Sequence, residues 1–547
     1  MLKSVSNFFL QHLIEKYKRE RSRRYQRSYL KAKKNNTVVC VYKVKQVLSD
    51  TVCTEDASFS KFYFGSAIKV AELSVRQFLL RSIVENRINR PLILVLGDEK
   101  KTVLHPLPRK WRVALKDEGF NVPAKQNALL FQTYVWIRFF SGIFNIIRFI
   151  TGNIASLLAG KKESKGKYVF FDALSEKNLP VAGSTGVSYD IFSWYLQWEG
   201  RANAIDSLVH TASQSCKIDV NGVELMYVPS AIRPLDNLYQ LMRFLEWSIK
   251  AVLLSLWGLA IGRWWYALLL SEASKAAITR IQKKTKLAET YLFHNALWIY
   301  RPLWTYEAEH KGSEVLFYFY STNITFIKTQ EGYQAPNIGW KTATWSNYLV
   351  WDKYQRLFLN QTLRQSANIL EVGPIWFNSG AYLSKALPKN AVSVFDVQPV
   401  RDSFYRSLAF AVDYYTPETA NAFLEDIYKE LEENSIIMVH KRKREAGSLL
   451  HYRYRNLLKK LSVKKNYLSV DPALAPQVLI KDSIAVLSMP FTSTALIARD
   501  MGKPSAYYDP MGLIQKDDIS SHNIPVLTGK KELKEWIKRL IQVANND

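Results

Sequence analysis

Two short runs of residues carry groups that can hold an anion. Thr492, Ser493 and Thr494 stand between the apolar run IAVLS (484–488) and a short helical stretch that stops at Gly502, with Pro504 beyond. A helix start presents unpaired N–H groups and the positive end of the helix dipole, which suit a phosphate, and hydroxyls can add donors. The same run also fits a plain helix cap on Ser493. His440, Lys441, Arg442 and Lys443 follow a second apolar run, SIIMVH. An imidazole and three cations at a strand end can hold a ribose or a diphosphate, or they can form a solvated surface loop. Arg442 or Lys443 could neutralise a leaving nucleotide as its bond breaks.

Transfer to a hydroxyl acceptor also needs a base. The stretch AGSTGVSYDIFSWY offers Asp190, with Gly183 and Gly186 allowing close backbone approach to a ligand. Asp190 reads equally well as the carboxylate at a helix start. Glu307, in WTYEAEHKG, and His294 are the other candidates. The sequence has no HExxH, no CxxC pair and no GxxxxGK[ST] loop. Asp396 and Asp402, in DVQPVRD, are thin support for a cation site. The expected chemistry therefore uses neither metal nor resident cofactor.

These residues need elements to position them. In the C-terminal half, VSVFDV, SIIMVH, YLSV, IAVLS and SAYYD read as strands, separated by helical stretches. Among the latter, Thr416 and Pro417 open an amphipathic helix, ETANAFLEDIYKELEEN. A last basic amphipathic helix covers 530–543. The N-terminal half repeats the pattern less regularly: YVFFDA, ETYLFHN, EVLFYFY and the start of SNYLVWDKYQRLFL read as strands, and NILEVGPIW leads out of the half. Two more apolar runs, TVVCVYKV and PLILVLG, have no assigned sheet. Alternating strands and helices imply parallel sheets with both faces covered.

The expected fold is α/β, with two Rossmann-type lobes and a ligand cleft between them. A basic arm spans 1–36, an acceptor-side lobe 37–380 and a nucleotide-sugar lobe 381–547, with the hinge near 373–390. Such sheets bind ligands at the carboxyl ends of their strands. His440–Lys443, Thr492–Thr494, Asp396 and His294–Asn295 all fall just after predicted strands.

Of the 547 residues 48% are hydrophobic, which excludes global disorder. Three cysteines, Cys40, Cys53 and Cys216, make no disulfide framework or zinc spacing and favour a reducing compartment. No signal peptide is visible. The formal net charge of +27 implies an anionic partner: nucleic acid, lipid or a phosphorylated substrate. The stretch 16–34 holds ten Lys or Arg against one Glu, a pattern suited to anionic headgroups or to a solvated tail. Two aromatic-rich apolar segments, 131–158 and 247–273, are interrupted by Arg138, Arg148 and Arg263. They read as interfacial or re-entrant rather than spanning, with Arg263, Trp264 and Trp265 as an interface anchor. Burial in a core is the competing reading.

Taken together, ETYLFHNALWIYRPLWTYEAEHKGSEVLFYFYSTN, ILEVGPIWF, VSVFDVQPVRDSFY and VLSMPFTSTALIARDMGKPSAYYDP resemble bacterial surface-carbohydrate glycosyltransferases of the GT-B type, over roughly 168–510. The resemblance implies a membrane-associated enzyme at the cytoplasmic face of the bacterial inner membrane. It would move a sugar from a nucleotide donor to a lipid-linked or growing glycan, without a metal. In the subset that uses CMP-linked acidic sugars, a His-Pro motif and a paired Ser/Thr motif hold the nucleotide. His440 resembles the first, and Ser493 with Thr494 the second. Lys441 stands where that subset has Pro, which leaves UDP- and GDP-sugars open. A polyol-phosphate transferase of wall-polymer assembly is an alternative. A non-catalytic nucleic-acid binder is another, disfavoured because the basic residues cluster in an arm outside any recognisable nucleic-acid module.

Overall fold

The structure, a computed structural model, describes residues 37–54, 58–84, 94–96, 101–159, 166–174, 176–180, 190–198, 205–212, 218–294, 300–320, 327–333, 338–375, 387–399, 414–443, 450–472 and 474–544. The chain enters through helices α1 (Thr37–Asp50) and α2 (Ala71–Val84), followed by a hairpin of β1 (Leu94–Leu96) and β2 (Thr102–Leu104). TVVCVYKV is thus helical rather than extended. Its β-branched residues favour a strand only weakly, and packing of α1 on neighbouring helices overrides that preference. The run PLILVLG supplies β1, which among the described residues pairs with β2 alone and joins neither large sheet. Helix α3 (Ala124–Leu158) then leads to the first lobe.

That lobe is built on β3 (Tyr168–Phe171), α4 (Ile191–Gln197), β4 (Ser207–His210), β5 (Ile218–Val220), β6 (Val223–Tyr227), α5 (Leu238–Ala260), α6 (Trp265–Ile281) and β7 (Thr290–His294). It continues through α7 (Leu303–His310), β8 (Glu314–Tyr318), the small hairpin β9 (Lys328–Thr329) and β10 (Gly332–Tyr333), β11 (Asn347–Val350), α8 (Lys353–Thr362) and β12 (Asn368–Glu371). The sheet order is β12-β11-β8-β7-β3-β4-β6-β5, parallel except for β5. Strands such as YVFF and TYLFH are buried along their whole length, because helices cover both faces. The run NILE adds an edge strand here, so the lobe extends through what the sequence suggests is an exit segment.

The second lobe comprises β13 (Ala391–Phe395), α9 (Pro417–Glu433), β14 (Ile437–Lys441), α10 (Tyr452–Leu461), β15 (Tyr467–Val470), α11 (Pro476–Asp482), β16 (Ala485–Ser488), α12 (Ser493–Asp500), β17 (Ser505–Asp509), β18 (Val526–Thr528) and α13 (Gly529–Ala544). All six strands are parallel, in the order β15-β14-β13-β16-β17-β18. Helix α9 starts where the Thr416 hydroxyl accepts the Thr419 N–H and Pro417 occupies the first turn. Its Phe423, Ile427 and Leu431 face the core.

Numbered along its own chain, the second lobe has the order 3-2-1-4-5-6. The first lobe's parallel strands follow the same rule, with one strand more. In such sheets the chain reverses direction of growth between strands 1 and 4, which opens a crevice at their carboxyl ends. The two crevice positions are therefore β3/β7 in the first lobe and β13/β16 in the second.

The lobes touch through β9, β10 and the start of α8 on one side and 515–522 on the other. Gln515 N–H donates to Lys328 O (2.9 Å), Lys328 N–H to Asp518 Oδ2 (2.6 Å), and Ile519 N–H to the Tyr333 hydroxyl (2.8 Å). His522 Nδ1 lies 2.5 Å from Asp352 Oδ2.

The expected interfacial segment 247–273 divides in two. Its second half is α6, a core helix packed between α3 and α5, with Trp265, Tyr266 and Leu268 buried. Trp265 is thus no interface anchor. Trp264 is half-buried, its ring edge-on to Phe131 at 4.9 Å.

Candidate functional site

In the second lobe, the crevice lies between Asp396, just past β13, and the turn after β16. Phe395 pairs with Lys441 on one side and Ser488 on the other, so Asp396, Arg442 and Met489 form the next row at the carboxyl edge. The Met489 N–H extends the pairing by donating to Phe395 O (2.8 Å). The turn then folds on itself. Thr492 donates its hydroxyl to Met489 O (2.9 Å), and the Tyr507 hydroxyl donates to Thr492 O (3.0 Å). The Thr494 hydroxyl sits 2.8 Å from that of Ser488 and 3.1 Å from that of Thr492.

Thr492, not Ser493, occupies the N-cap position of α12, and its side chain caps nothing. Among the described residues, the Ser493 hydroxyl has no hydrogen-bond partner and is half-exposed. The sequence reading of Ser493 as a cap is corrected here, because Ser493 is the first helical residue. The helix begins with open N–H groups beside the crevice, which is the arrangement that favours an anion.

His440 is not a surface ligand. Strand β14 is covered on both faces, and the imidazole is sealed inside the lobe. Its Nδ1 lies 2.7 Å from the Tyr467 hydroxyl and its Nε2 3.3 Å from Asp396 Oδ2. The Tyr454 hydroxyl donates to the same carboxylate oxygen. His440 thus belongs to a buried network that fixes Asp396. Lys441 is also buried: its Nζ donates to Pro472 O (3.1 Å), and burial holds its ammonium down to about 8, with Asp396 and Asp471 opposing the shift. Arg442 is half-buried, and its Nε is enclosed with no hydrogen-bond partner among the described residues. Lys443 is exposed. Among the described residues, His440 Nε2 and Arg442 Nε are both enclosed without a hydrogen bond, and of the two residues Arg442 is the one that is partly exposed.

In the first lobe, Asp172 and His294 flank the crevice. The Asp172 N–H donates to Leu292 O (2.9 Å), which holds the end of β3 against β7. His294 Nε2 lies 3.3 Å from Ala173 O, and burial lowers its imidazole to about 4, against a small upward effect of that contact. The Tyr318 ring lies tilted and the Tyr320 ring edge-on to it, with ring centroids at 5.7 and 5.6 Å. Burial first, and then the Asp172 charge, push the Tyr318 phenol up. Asp172 is absent from the candidates drawn from sequence. A signal existed: the first strand of each lobe ends in Phe-Asp, at Phe171–Asp172 and at Phe395–Asp396.

The other two candidate bases have structural duties. Asp190 is the buried N-cap of α4. Its Oδ1 accepts the N–H groups of Phe192 (2.9 Å) and Ser193 (2.8 Å), and its Oδ2 accepts the Ser193 hydroxyl (2.9 Å). Gly183 and Gly186 lie outside the described residues. Glu307, on α7, is buried against Arg280 (2.9 Å) and accepts from Ser66 N–H (2.8 Å) and hydroxyl (3.1 Å). Gly65 (φ 53°) lets the chain pass there, since a Cβ would sit 1.8 Å from the Glu307 carboxylate. Both carboxylates are engaged by these contacts. Asp402 and Asn295 lie outside the described residues. Among those residues, no cluster of three His, Cys, Asp or Glu side chains is arranged to hold a metal ion.

A family model described as "Polysaccharide biosynthesis PFTS motif protein" matches residues 247–537, from within α5 to within α13. No curated protein shows significant similarity to the chain. Among solved structures, a variant of the wall teichoic acid polymerase TagF soaked with CDPG is 13% identical, with 75% of this chain and 90% of that one covered and a TM-score of 0.37. The UDP-GlcNAc 2-epimerase from Methanocaldococcus jannaschii is 8% identical, with 68% and 91% covered and a TM-score of 0.36. TarM is 11% identical, with 50% of this chain and 51% of TarM covered and a TM-score of 0.30, so the chain spans about half of TarM's length. The fold assignment rests on the strand order of the two sheets rather than on these likenesses.

Proposed function

The chain belongs to the polysaccharide biosynthesis PFTS motif family, and from that premise we propose that it is a GT-B-type glycosyltransferase that passes a sugar from a nucleotide donor to a lipid-linked or growing surface glycan. The donor's phosphates bind at the β13/β16 crevice, against the open start of α12, the Ser493 hydroxyl and Arg442. The acceptor hydroxyl lies at the β3/β7 crevice. Its oxygen attacks the anomeric carbon and the bond from that carbon to the phosphate oxygen breaks. The bonding pair leaves on the phosphate, where Arg442 and the α12 amides stabilise it. The acceptor proton passes to His294, whose imidazole is neutral at physiological pH. The Asp172 carboxylate stabilises the imidazolium as it forms. In this reading cationic side chains and amides do the work a metal does elsewhere, and the single displacement by the acceptor oxygen inverts the anomeric carbon.

The observation that carries this reading is the uncapped N-terminus of α12 at the crevice of a 3-2-1-4-5-6 sheet. A thermal-shift screen of CMP, UDP and GDP tests it. The cognate nucleotide at a hundred times its Kd adds about 2.7 kcal/mol. Turnover is then assayed with sugars and with polyols linked to that nucleotide. Stabilisation by none of the three, or turnover of a polyol donor alone, would count against it.

A further inference from the structure

Helices α3 and α5 flank the core helix α6 and turn apolar side chains away from it. On α3, Leu129, Trp136, Ile137, Phe140, Phe144 and Ile147 are exposed, Phe144 by 65%. On α5, Ile249, Leu253, Leu256, Trp257 and the following Ile261 are exposed, Trp257 by 64%. Rows of exposed apolar side chains of this kind mark a docking face. Among the described residues, α3 is the one helix long and apolar enough to cross a membrane, and little of that stretch is fully buried.

Its packing argues against crossing. Gly142 lies so close to α6 that a Cβ would come within 2.7 Å of Leu270. Asn145 donates to the Ser271 hydroxyl (2.8 Å), and the Asn153 amide oxygen accepts the Leu235 N–H (2.6 Å). The inner side of α3 is therefore tied to the body of the lobe over most of its length. Carrying it across a bilayer would drag along α6 with its Lys275–Glu272 ion pair. A helix with one side pinned to protein and the other apolar lies in the plane of an interface.

Charge identifies the occupant. Helix α3 has no acidic residue and carries Lys125, Arg138 and Arg148. The α5 segment adds Arg243, Lys250 and Arg263 against Glu246. A second copy of the chain would bring the same positive excess to this face and be repelled. An anionic lipid surface meets both the apolar and the cationic demand. We infer that α3 and α5 form an in-plane membrane-docking face that seats the first lobe on an anionic bilayer. The inference stands on these helices and does not require the glycosyltransferase reading.

The test uses the full chain and vesicles of phosphatidylcholine, with and without phosphatidylglycerol. The wild type sediments with the anionic vesicles. Phe140→Glu with Phe144→Glu, and separately Leu253→Glu with Trp257→Glu, each weaken partitioning by about tenfold or more while Tm is kept. Brominated acyl chains quench the wild-type tryptophan fluorescence, and Trp136→Phe with Trp257→Phe removes most of that quenching, a readout that survives if the Glu variants fail to fold. Partitioning that is abolished by salt and untouched by the Glu variants would assign binding to the basic arm alone and overturn the inference. So would a dimer, seen by light scattering, that the Glu variants convert to monomer without any lipid effect.

Discussion

Ser493→Asp separates a nucleotide site from an ordinary helix end, because it should move two observables in opposite directions. Ser493 is the first residue of α12, half-exposed, at a terminus that the Thr492 side chain leaves uncapped. In the free protein, a carboxylate there faces the positive end of the helix and should stabilise it by about 0.3–1 kcal/mol. With a nucleotide bound, the same carboxylate would stand some 4–5 Å from a phosphate. At an effective dielectric constant of about 20 the repulsion is roughly 3–4 kcal/mol, or between two and three decades in affinity. Ser493→Ala, which removes only a hydroxyl donor to a charged group, should cost about 1.5–3 kcal/mol of binding, between one and two decades. Titration calorimetry with the cognate nucleotide gives the affinities, and thermal denaturation of the free proteins gives the stabilities. Expected are a Tm that holds or rises and an affinity that collapses in the Asp variant, with the Ala variant between. An Asp variant with wild-type affinity would refute the reasoning. Thr494→Ala is the poorer probe, since its hydroxyl already bonds Ser488 and Thr492 and its loss loosens the turn.

Four further outcomes follow. His294→Ala should lower kcat by about 10²- to 10⁴-fold and Asp172→Asn by less, with nucleotide affinity unchanged in titration calorimetry. Burial sets the folded pKa of Lys441, about 8, below its unfolded value of 10.5, so its charged form costs stability below the lower value and that cost is relieved as pH rises between the two; in chemical denaturation, Lys441→Met should be the more stable protein below pH 8, with the gap closing towards 10.5. Glu307→Gln should cost about 3–5 kcal/mol in denaturant unfolding by stranding Arg280, while activity per folded molecule is retained. For Asp352, burial pushes the carboxyl up but the His522 hydrogen bond and charge, with the Tyr354 and Gln355 N–H groups, hold it below its ordinary value. The resulting stability is present above the unfolded pKa and lost as pH falls through the folded one; Asp352→Asn keeps the α8 cap, so its Tm–pH curve should lack that contribution on the acid side.

The second lobe was largely legible because its signals are local. Its parallel strands are unbroken apolar runs, and Thr416 with Pro417 announces the start of α9. The residues at strand ends could be found the same way, but their roles could not. His440 reads as a phosphate ligand when only its basic neighbours are considered. The better clue is that it closes the apolar run IIMV, which β14 buries on both faces. Asp190 and Glu307 have the chemistry of a base. What they do is decided by partners: the α4 N–H groups for one, Arg280 and Ser66 for the other. The partners of Glu307 lie far away in sequence and no spacing rule points to them. The segment 247–273 looked uniformly interfacial because composition does not reveal which half of a helical hairpin is inside.

Asp172 shows what topology adds. In sequence it ends one strand, more than a hundred residues before His294. The sheet order β7-β3-β4 brings the ends of their two strands side by side at the crevice. The equivalent place in the second lobe is held by Asp396, and there the carboxylate is enclosed, with Oδ2 accepting from the Tyr454 hydroxyl and lying 3.3 Å from His440 Nε2. The same Phe-Asp ending thus serves two purposes. In one lobe the acid is locked into the interior and leaves the cationic Arg442 and the α12 amides to face the crevice. In the other it is half-exposed at the sheet edge, one strand away from His294, whose imidazole is neutral. One crevice is therefore suited to receiving negative charge and the other to removing a proton, the division of labour that a displacement at an anomeric carbon requires.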